Sequence, residues 1–264
     1  MTFDAPTLND LISVRVRTDR AALCDVRRRF TERSLIFLMR DSITVPALLD
    51  LSHTLAAPLL EKFTFPWEAL PQISAFILSL IPTLNADYQE VAPSVWVHKT
   101  AVVAPTAYLG GPCVIGPETE VRHGAFIRGS ALVGAGCVVG NSVELKNVIL
   151  FDNVQTPHYN YVGDSILGYR SHMGAGSITS NVKSDKTLVV VKTEPPIETG
   201  LKKFGAILGD YVEVGCNSVL NPGCILGRRV SVYPVNCVRG AIPADSIVKT
   251  GGVIVTRQKE WGNS

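Results

Sequence analysis

A chain of 264 residues, 46% of them hydrophobic, has ample material for one large core or two unequal ones. Its formal net charge of +2 excludes a sequence-independent nucleic-acid binder, whose affinity needs many clustered Lys and Arg on phosphates. Six cysteines without a CxxC pair argue against a metal cluster or disulfide framework, and no apolar stretch reaches membrane-spanning length, so reduced thiols in a cytoplasmic protein with no membrane partner are expected.

Residues 1–9 carry acids and lack a basic start followed by an apolar core, so no secretory signal is expected there. The compact apolar run at 34–39 reads as a strand or a buried helical turn. Apolar periodicity predicts helices over 46–63 and 67–80, separated by 64–66. Residues 1–90 are therefore read as a small helical or α/β region preceding the rest of the chain.

All 22 glycines fall at or after Gly110, as expected for many regularly spaced turns. Stepping by six from Val97 gives Val103, Leu109, Ile115, Val121, Ile127, Val133, Val139, Leu145 and Phe151, all aliphatic or Phe. Ten such residues in succession would arise by chance about 10⁻⁵ of the time. Four places after these residues a small one is common, as at Ala101, Ala107, Cys113, Ala125, Ala131 and Cys137. A period of six suits neither a helix nor a hairpin series. It predicts short strands with a bend every sixth residue, three bends closing a triangular coil whose backbone pairs with the next coil, a mainly β parallel β-helix. After a break near Pro157 the register resumes at Tyr161, Leu167, Met173 and Thr179, then at Leu208, Val214, Leu220, Leu226, Val232 and Val238. The coil domain is set at 91–240 with a loop insertion at 182–205, and 241–264 reads as a closing hairpin or cap and a polar tail.

Arg128 and Lys146 directly follow inward Ile127 and Leu145, three hexads apart, which stacks two cations on one ridge of successive coils. The plain alternative is a solvated surface pair, salt-bridged to Glu144. His158 interrupts the hexad, as a projecting residue should, although many such histidines are surface loop residues.

Three segments in order, Val143-Glu-Leu-Lys146, Pro157-His-Tyr-Asn-Tyr-Val-Gly-Asp164 and Gly174-Ala-Gly-Ser-Ile-Thr-Ser-Asn181, carry a resemblance. The chain resembles the hexapeptide-repeat acyltransferase family. Within it the nearest pattern is the acetyltransferase domain of the bacterial bifunctional N-acetylglucosamine-1-phosphate uridylyltransferase and glucosamine-1-phosphate N-acetyltransferase. The resemblance implies a left-handed coil, against the usual crossover rule, and a homotrimer with sites at its boundaries. It implies an acetyl-CoA-dependent N-acetyltransferase acting on an amino-sugar phosphate in nucleotide-sugar synthesis, the route to UDP-N-acetylglucosamine, with no metal required.

It makes His158 the general base, Arg128 and Lys146 the sugar-phosphate ligands, and Tyr161 a sugar contact. Asn181 would stand near the amine and acetyl group, and the Ala175 N–H would face the thioester oxygen. His172, where the family carries an Asn that contacts the amino sugar, and Lys186 of the insertion join the acceptor site. Coenzyme A would lie between coils near Cys216 and Pro234, its phosphates near Arg228, Arg229 or Lys249. No glycine-rich nucleotide signature precedes the coil, so uridylyl transfer is not expected. Cys216 in place of a Ser, His172 and the long insertion leave the acceptor open.

Two other classes of function remain open. A non-catalytic or regulatory relative could bind a sugar phosphate or nucleotide sugar through Arg128 and Lys146, and absence of turnover with tight binding would reveal it. A zinc carbonic anhydrase of the same fold needs three converging histidines, which His98, His123, His158 and His172 do not supply at close spacing, and a metal assay separates it.

Overall fold

The computed structural model describes residues 40–257; the apolar run at 34–39 and the polar tail at 258–264 lie outside the described residues. Between 40 and 83 the chain forms short turns in place of the first expected helix. Val45–Leu48 and Ala57–Leu60 are single α-turns on either side of the 3-10 turn Leu51–His53. The Asp50 side chain accepts the Ser52 N–H and starts a new turn, and Pro58 has no N–H with which to continue one from upstream. In the second stretch Pro71 limits Pro66–Gln72 to a 3-10 helix, so the α-helix proper runs over Ile73–Leu80. No helix among the described residues is long and apolar enough to cross a membrane.

From Val95 the chain winds into a parallel β-helix with three faces. On the first face Val95 pairs with Cys113 and Cys113 with Ala131, a step of 18 residues per coil. The second face stacks Val103, Val121, Val139, Thr156, Met173, Val214, Val232 and Val248 inward. The third stacks Leu109, Ile127, Leu145, Val162, Thr179, Leu220 and Val238, and these ladders form the core of the prism.

Between Val97 and Thr179 the register of six slips twice, both times at the edge where the third face turns into the first. Earlier coils take three residues there, Arg128, Gly129 and Ser130, before Ala131. The later ones take two, Lys146-Asn147 and Gly163-Asp164, with Asn147 at φ 53° and Asp164 at φ 48°. Asn and Asp tolerate this left-handed conformation better than other non-glycine residues. The inward residues are consequently Leu150, paired with Val133, and Val162, paired with Leu145, in place of the expected Phe151 and Tyr161. Tyr161 is thereby turned outward.

Coil strands also continue past the expected end at Val238, as Ala241–Ile242 and Ser246–Val248, before antiparallel Ile254–Thr256 closes a hairpin. At the other end Tyr88–Ala92 runs antiparallel to Val95–His98. The insertion holds its own antiparallel pair, Val190–Val191 with Ile197–Glu198, and returns where the Phe204 N–H donates to the Asn181 carbonyl at 3.0 Å.

On the first face even the outward residues are buried. Val114, Leu132, Ile149, Ile166, Ile207 and Ile225 form an apolar stripe, covered by the turns of 43–77 through Leu48, Leu60, Trp67, Leu70, Ile73 and Ile77. Polar pins fasten this cap, among them Asp210 N–H to the Leu48 carbonyl at 3.0 Å and Asn147 Nδ2 to the Leu70 carbonyl at 3.2 Å. Each aliphatic side chain so covered contributes about 1.5–3 kcal/mol. Ile149→Ala should therefore cost about 2–5 kcal/mol in urea denaturation, while Val102→Ala on the exposed second face should cost no more than about 0.5 kcal/mol. Equal losses at the two positions would sink this account of the cap.

Candidate active site

The third face is bounded by two edges, and the expected site residues fall mostly on them. Along the edge from the second face to the third, successive coils stack His158, Ala175, Cys216 and Pro234. The Gly176 N–H donates to the His158 carbonyl at 3.0 Å, Asn217 N–H to the Ala175 carbonyl at 2.9 Å, and Val235 N–H to the Cys216 carbonyl at 2.9 Å. Lys249 follows inward Val248 and stacks above Tyr233, one position before the column of Pro234.

The segment carrying His158 leans over Gly140, where a Cβ would overlap the Pro157 carbonyl, so the close approach requires glycine. His158 itself is exposed. Its position is set from beneath by Asn160, only 2% exposed. Asn160 Oδ1 accepts the His158 N–H at 3.2 Å, and its Nδ2 donates to the carbonyls of Gly174 at 2.8 Å and Ser177 at 3.0 Å. One buried amide thus ties the histidine's backbone to the turn that carries Ala175. The Ala175 N–H has no hydrogen-bond partner among the described residues, which leaves it free to face a developing negative charge.

The opposite edge, from the third face to the first, gathers Arg128, Lys146, Tyr161 and Asn181. Arg128 donates to Glu144 Oε1 at 2.7 Å, a hydrogen bond that holds the guanidinium above its ordinary pKa. Lys146 Nζ lies 3.5 Å from Asp164 Oδ1. Asp164, 5% exposed, also accepts from Asn147 Nδ2 at 3.0 Å and Asn181 Nδ2 at 2.6 Å. Asn181 Nδ2 reaches the Tyr161 hydroxyl at 3.2 Å, and that phenol lies across Gly163, where a Cβ would meet it at 2.5 Å. Burial first, then the Asp164 and Glu144 carboxylates, push the phenol above its usual pKa, so it stays protonated at neutral pH.

The two edges are five residues apart, His158 to Gly163, at most about 17 Å of extended chain. The structure therefore brings the expected residues to one face, as two rows. Four others stand apart. His172 points from the second face and pairs through Nδ1 with Glu213 Oε2 at 2.9 Å. Lys186 sits exposed at a turn of the insertion, its N–H on the Lys183 carbonyl. Arg228 belongs to the edge between first and second faces, where it pairs with Asp210 at 3.2 Å and reaches the Pro46 carbonyl, and neighbouring Arg229 pairs with Asp245 at 2.6 Å.

Asn160 and Asp164 organise the two rows and were not singled out from the sequence as site residues. Burial pushes the Cys113 and Cys137 thiols up to about 12, which makes them packing residues without nucleophilic use. Among the described residues no three His, Cys, Asp or Glu side chains gather as a metal ion would require.

A hexapeptide-repeat coil with a histidine and a free backbone donor on one edge and a polar row on the other defines the class. The family description GMPPB C-terminal domain matches residues 109–249, more than half of the chain, and the chain belongs to that family. The coil is a parallel β-helix whose sequence is similar to part of GlmU. The bifunctional protein GlmU of Methanococcus maripaludis is 29% identical over 199 residues, covering 74% of this chain and 48% of that one. The bifunctional sugar-1-phosphate nucleotidylyltransferase/acetyltransferase of Sulfurisphaera tokodaii is 33% identical over 92 residues, covering 34% of this chain and 23% of the relative. The chain thus spans about half or less of these relatives' lengths. Among solved structures, a point mutant of AntD, an N-acyltransferase from Bacillus cereus in complex with dTDP and coenzyme A, aligns with 63% of this chain and 81% of its own at 16% identity and TM-score 0.36.

Asn160→Ala should loosen the link between the rows of coils. It should lower stability by about 1–3 kcal/mol, the cost of stranding buried partners, and speed amide hydrogen exchange at residues 174–177 ahead of the rest of the coil.

Proposed function

We propose that this protein transfers an acetyl group from acetyl-CoA to the amine of an amino-sugar phosphate. The observation that carries the reading is the column of His158 and Ala175, joined through buried Asn160, on the face that also presents Tyr161 and Asn181. The amine nitrogen attacks the thioester carbonyl while neutral His158 takes its proton, and the Ala175 N–H donates to the carbonyl oxygen as it gains charge. Collapse of the adduct breaks the carbon–sulfur bond, and the leaving thiolate takes up a proton to give coenzyme A and the amide.

Cys216 and Pro234 continue the column, so the pantetheine arm would run up that edge toward Lys249, which lies beside its end above Tyr233. Arg228 holds Asp210 on another edge and takes no part. Arg128 and Lys146 would meet the sugar phosphate by exchanging carboxylate partners, a modest loss for the exposed Arg128 pair.

His158→Ala should lower the rate of acetyl transfer by about 10²- to 10⁴-fold with unchanged folding, read as free thiol released from acetyl-CoA with glucosamine-1-phosphate or a panel of amino-sugar phosphates. One observation favours a second reading, a non-catalytic sugar-phosphate binder: the His158 imidazole has no hydrogen-bond partner among the described residues to orient it. Tight binding of the sugar phosphate by wild-type protein that releases no thiol would select that reading.

We also propose a homotrimer. The first face is closed by the protein's own cap, and the third presents exposed Tyr108 and Phe126, so a second copy would cover the third face and complete the site there. Sedimentation at micromolar concentration should give three times the monomer mass; a monomer would refute this assembly.

A further inference from the structure

The insertion at 182–205 folds along the edge between the third and first faces, onto the last coils. Its wall is packed in place: Val189 and Val191 are fully buried, and the Val189 N–H donates to the Leu201 carbonyl at 2.8 Å. At its root the Phe204 ring stacks on Trp67 of the cap, centroids 5.9 Å apart. Gly240, at φ 77°, leaves room for the Lys192 carbonyl where a Cβ would stand 3.0 Å from it. Between this wall and the coil lies a cavity of about 310 Å³, lined among others by Ser180, Lys183, Asp185, Lys192, Asn221 and Arg239.

Charge separates this cavity from the Arg128–Lys146 ridge. On the ridge each cation already has a carboxylate, Glu144 or Asp164. In the cavity only Lys183 does, Asp185 at 3.4 Å, and among the described residues neither Lys192 nor Arg239 has an ion-pair partner. Three cations share one acid, so the cavity is left with an excess of positive charge that an anion would relieve. Its volume falls within the range of small-molecule sites.

We infer that this cavity binds the phosphate or diphosphate group of a small ligand, as a site separate from the Arg128–Lys146 ridge. Arg239 supplies a planar fork, Lys192 a point charge and Ser180 a hydroxyl. Ser180 adjoins Asn181, so a ligand anchored here can extend into the acceptor site. Only that last connection rests on the acetyltransferase reading; binding of phosphate does not.

The test is a calorimetric titration of the full-length chain with inorganic pyrophosphate. Wild-type protein should bind it, the double variant Lys192→Ala, Arg239→Ala should bind at least about tenfold more weakly, and Arg128→Ala should be unchanged. Both substituted positions are exposed, and a thermal melt confirms that the variants are folded. Glucosamine-1-phosphate is then added to the pyrophosphate complex. Displacement means that the cavity takes the acceptor's own phosphate, and simultaneous binding means a second phosphate ligand; both uphold the site. No pyrophosphate binding, binding indifferent to the double variant, or binding lost with Arg128→Ala overturns it. A protein inactive in acetyl transfer can still pass every arm, so the two readings fail separately.

Discussion

The carboxylate of Asp164 stands at a corner of the coil almost out of reach of water, and three neighbouring side chains make that position tolerable. Lys146, Asn147 and Asn181 converge on its two oxygens. A buried carboxylate without such partners would be strongly unfavourable. The same node spans three coils and reaches further, since Asn147 also holds the Leu70 carbonyl of the cap and the Asp164 carbonyl accepts the Gly205 N–H where the insertion returns. Cap, coil and insertion are thus registered against one another at the edge where the acceptor residues stand. That registration neutralises Lys146, whereas Arg239, four coils further along the same edge, has no carboxylate partner among the described residues.

The period of six was legible because every third of a coil must place one side chain inside a narrow prism. The slip was less legible, since Ile149, Leu150 and Phe151 are all apolar and a register read one residue late looks equally good. Its physical mark was present in Asn147 and Asp164, the residue types that accept left-handed corners. A covered first face was also written in the chain. Cys113-Val-Ile115, Ala131-Leu-Val133, Val148-Ile-Leu150, Ala206-Ile-Leu208 and Cys224-Ile-Leu226 each have an apolar middle residue, whereas the outward positions of the other faces include Glu120, Glu144, Gln155, His172 and Glu213. Breakage of the 46–63 stretch depended on Asp50 capping locally and on Pro58, which periodicity alone does not weigh.

The candidate residues of the three motif segments stand in two rows, separated by a face width that spacing in sequence does not express. Arg228 was expected near the coenzyme A phosphates as a basic residue close in sequence to Cys216 and Pro234. Counting faces separates them: Leu226 is a first-face residue and Val232 a second-face residue, so Arg228 turns an earlier corner. Asn160 and Asp164 escaped because their work is to satisfy backbone and side-chain groups that only the folded coil brings within reach.

The strands at the two ends, Tyr88–Ala92 and Ile254–Thr256, run against the direction of the coil. A solenoid built from identical steps has no intrinsic reason to stop, and its terminal backbone groups invite another molecule to continue the stack. A ribbon laid in the opposite sense uses up those groups on one face at each end and offers the wrong polarity to an incoming turn. The described coil is thereby guarded against end-on stacking by these two strands.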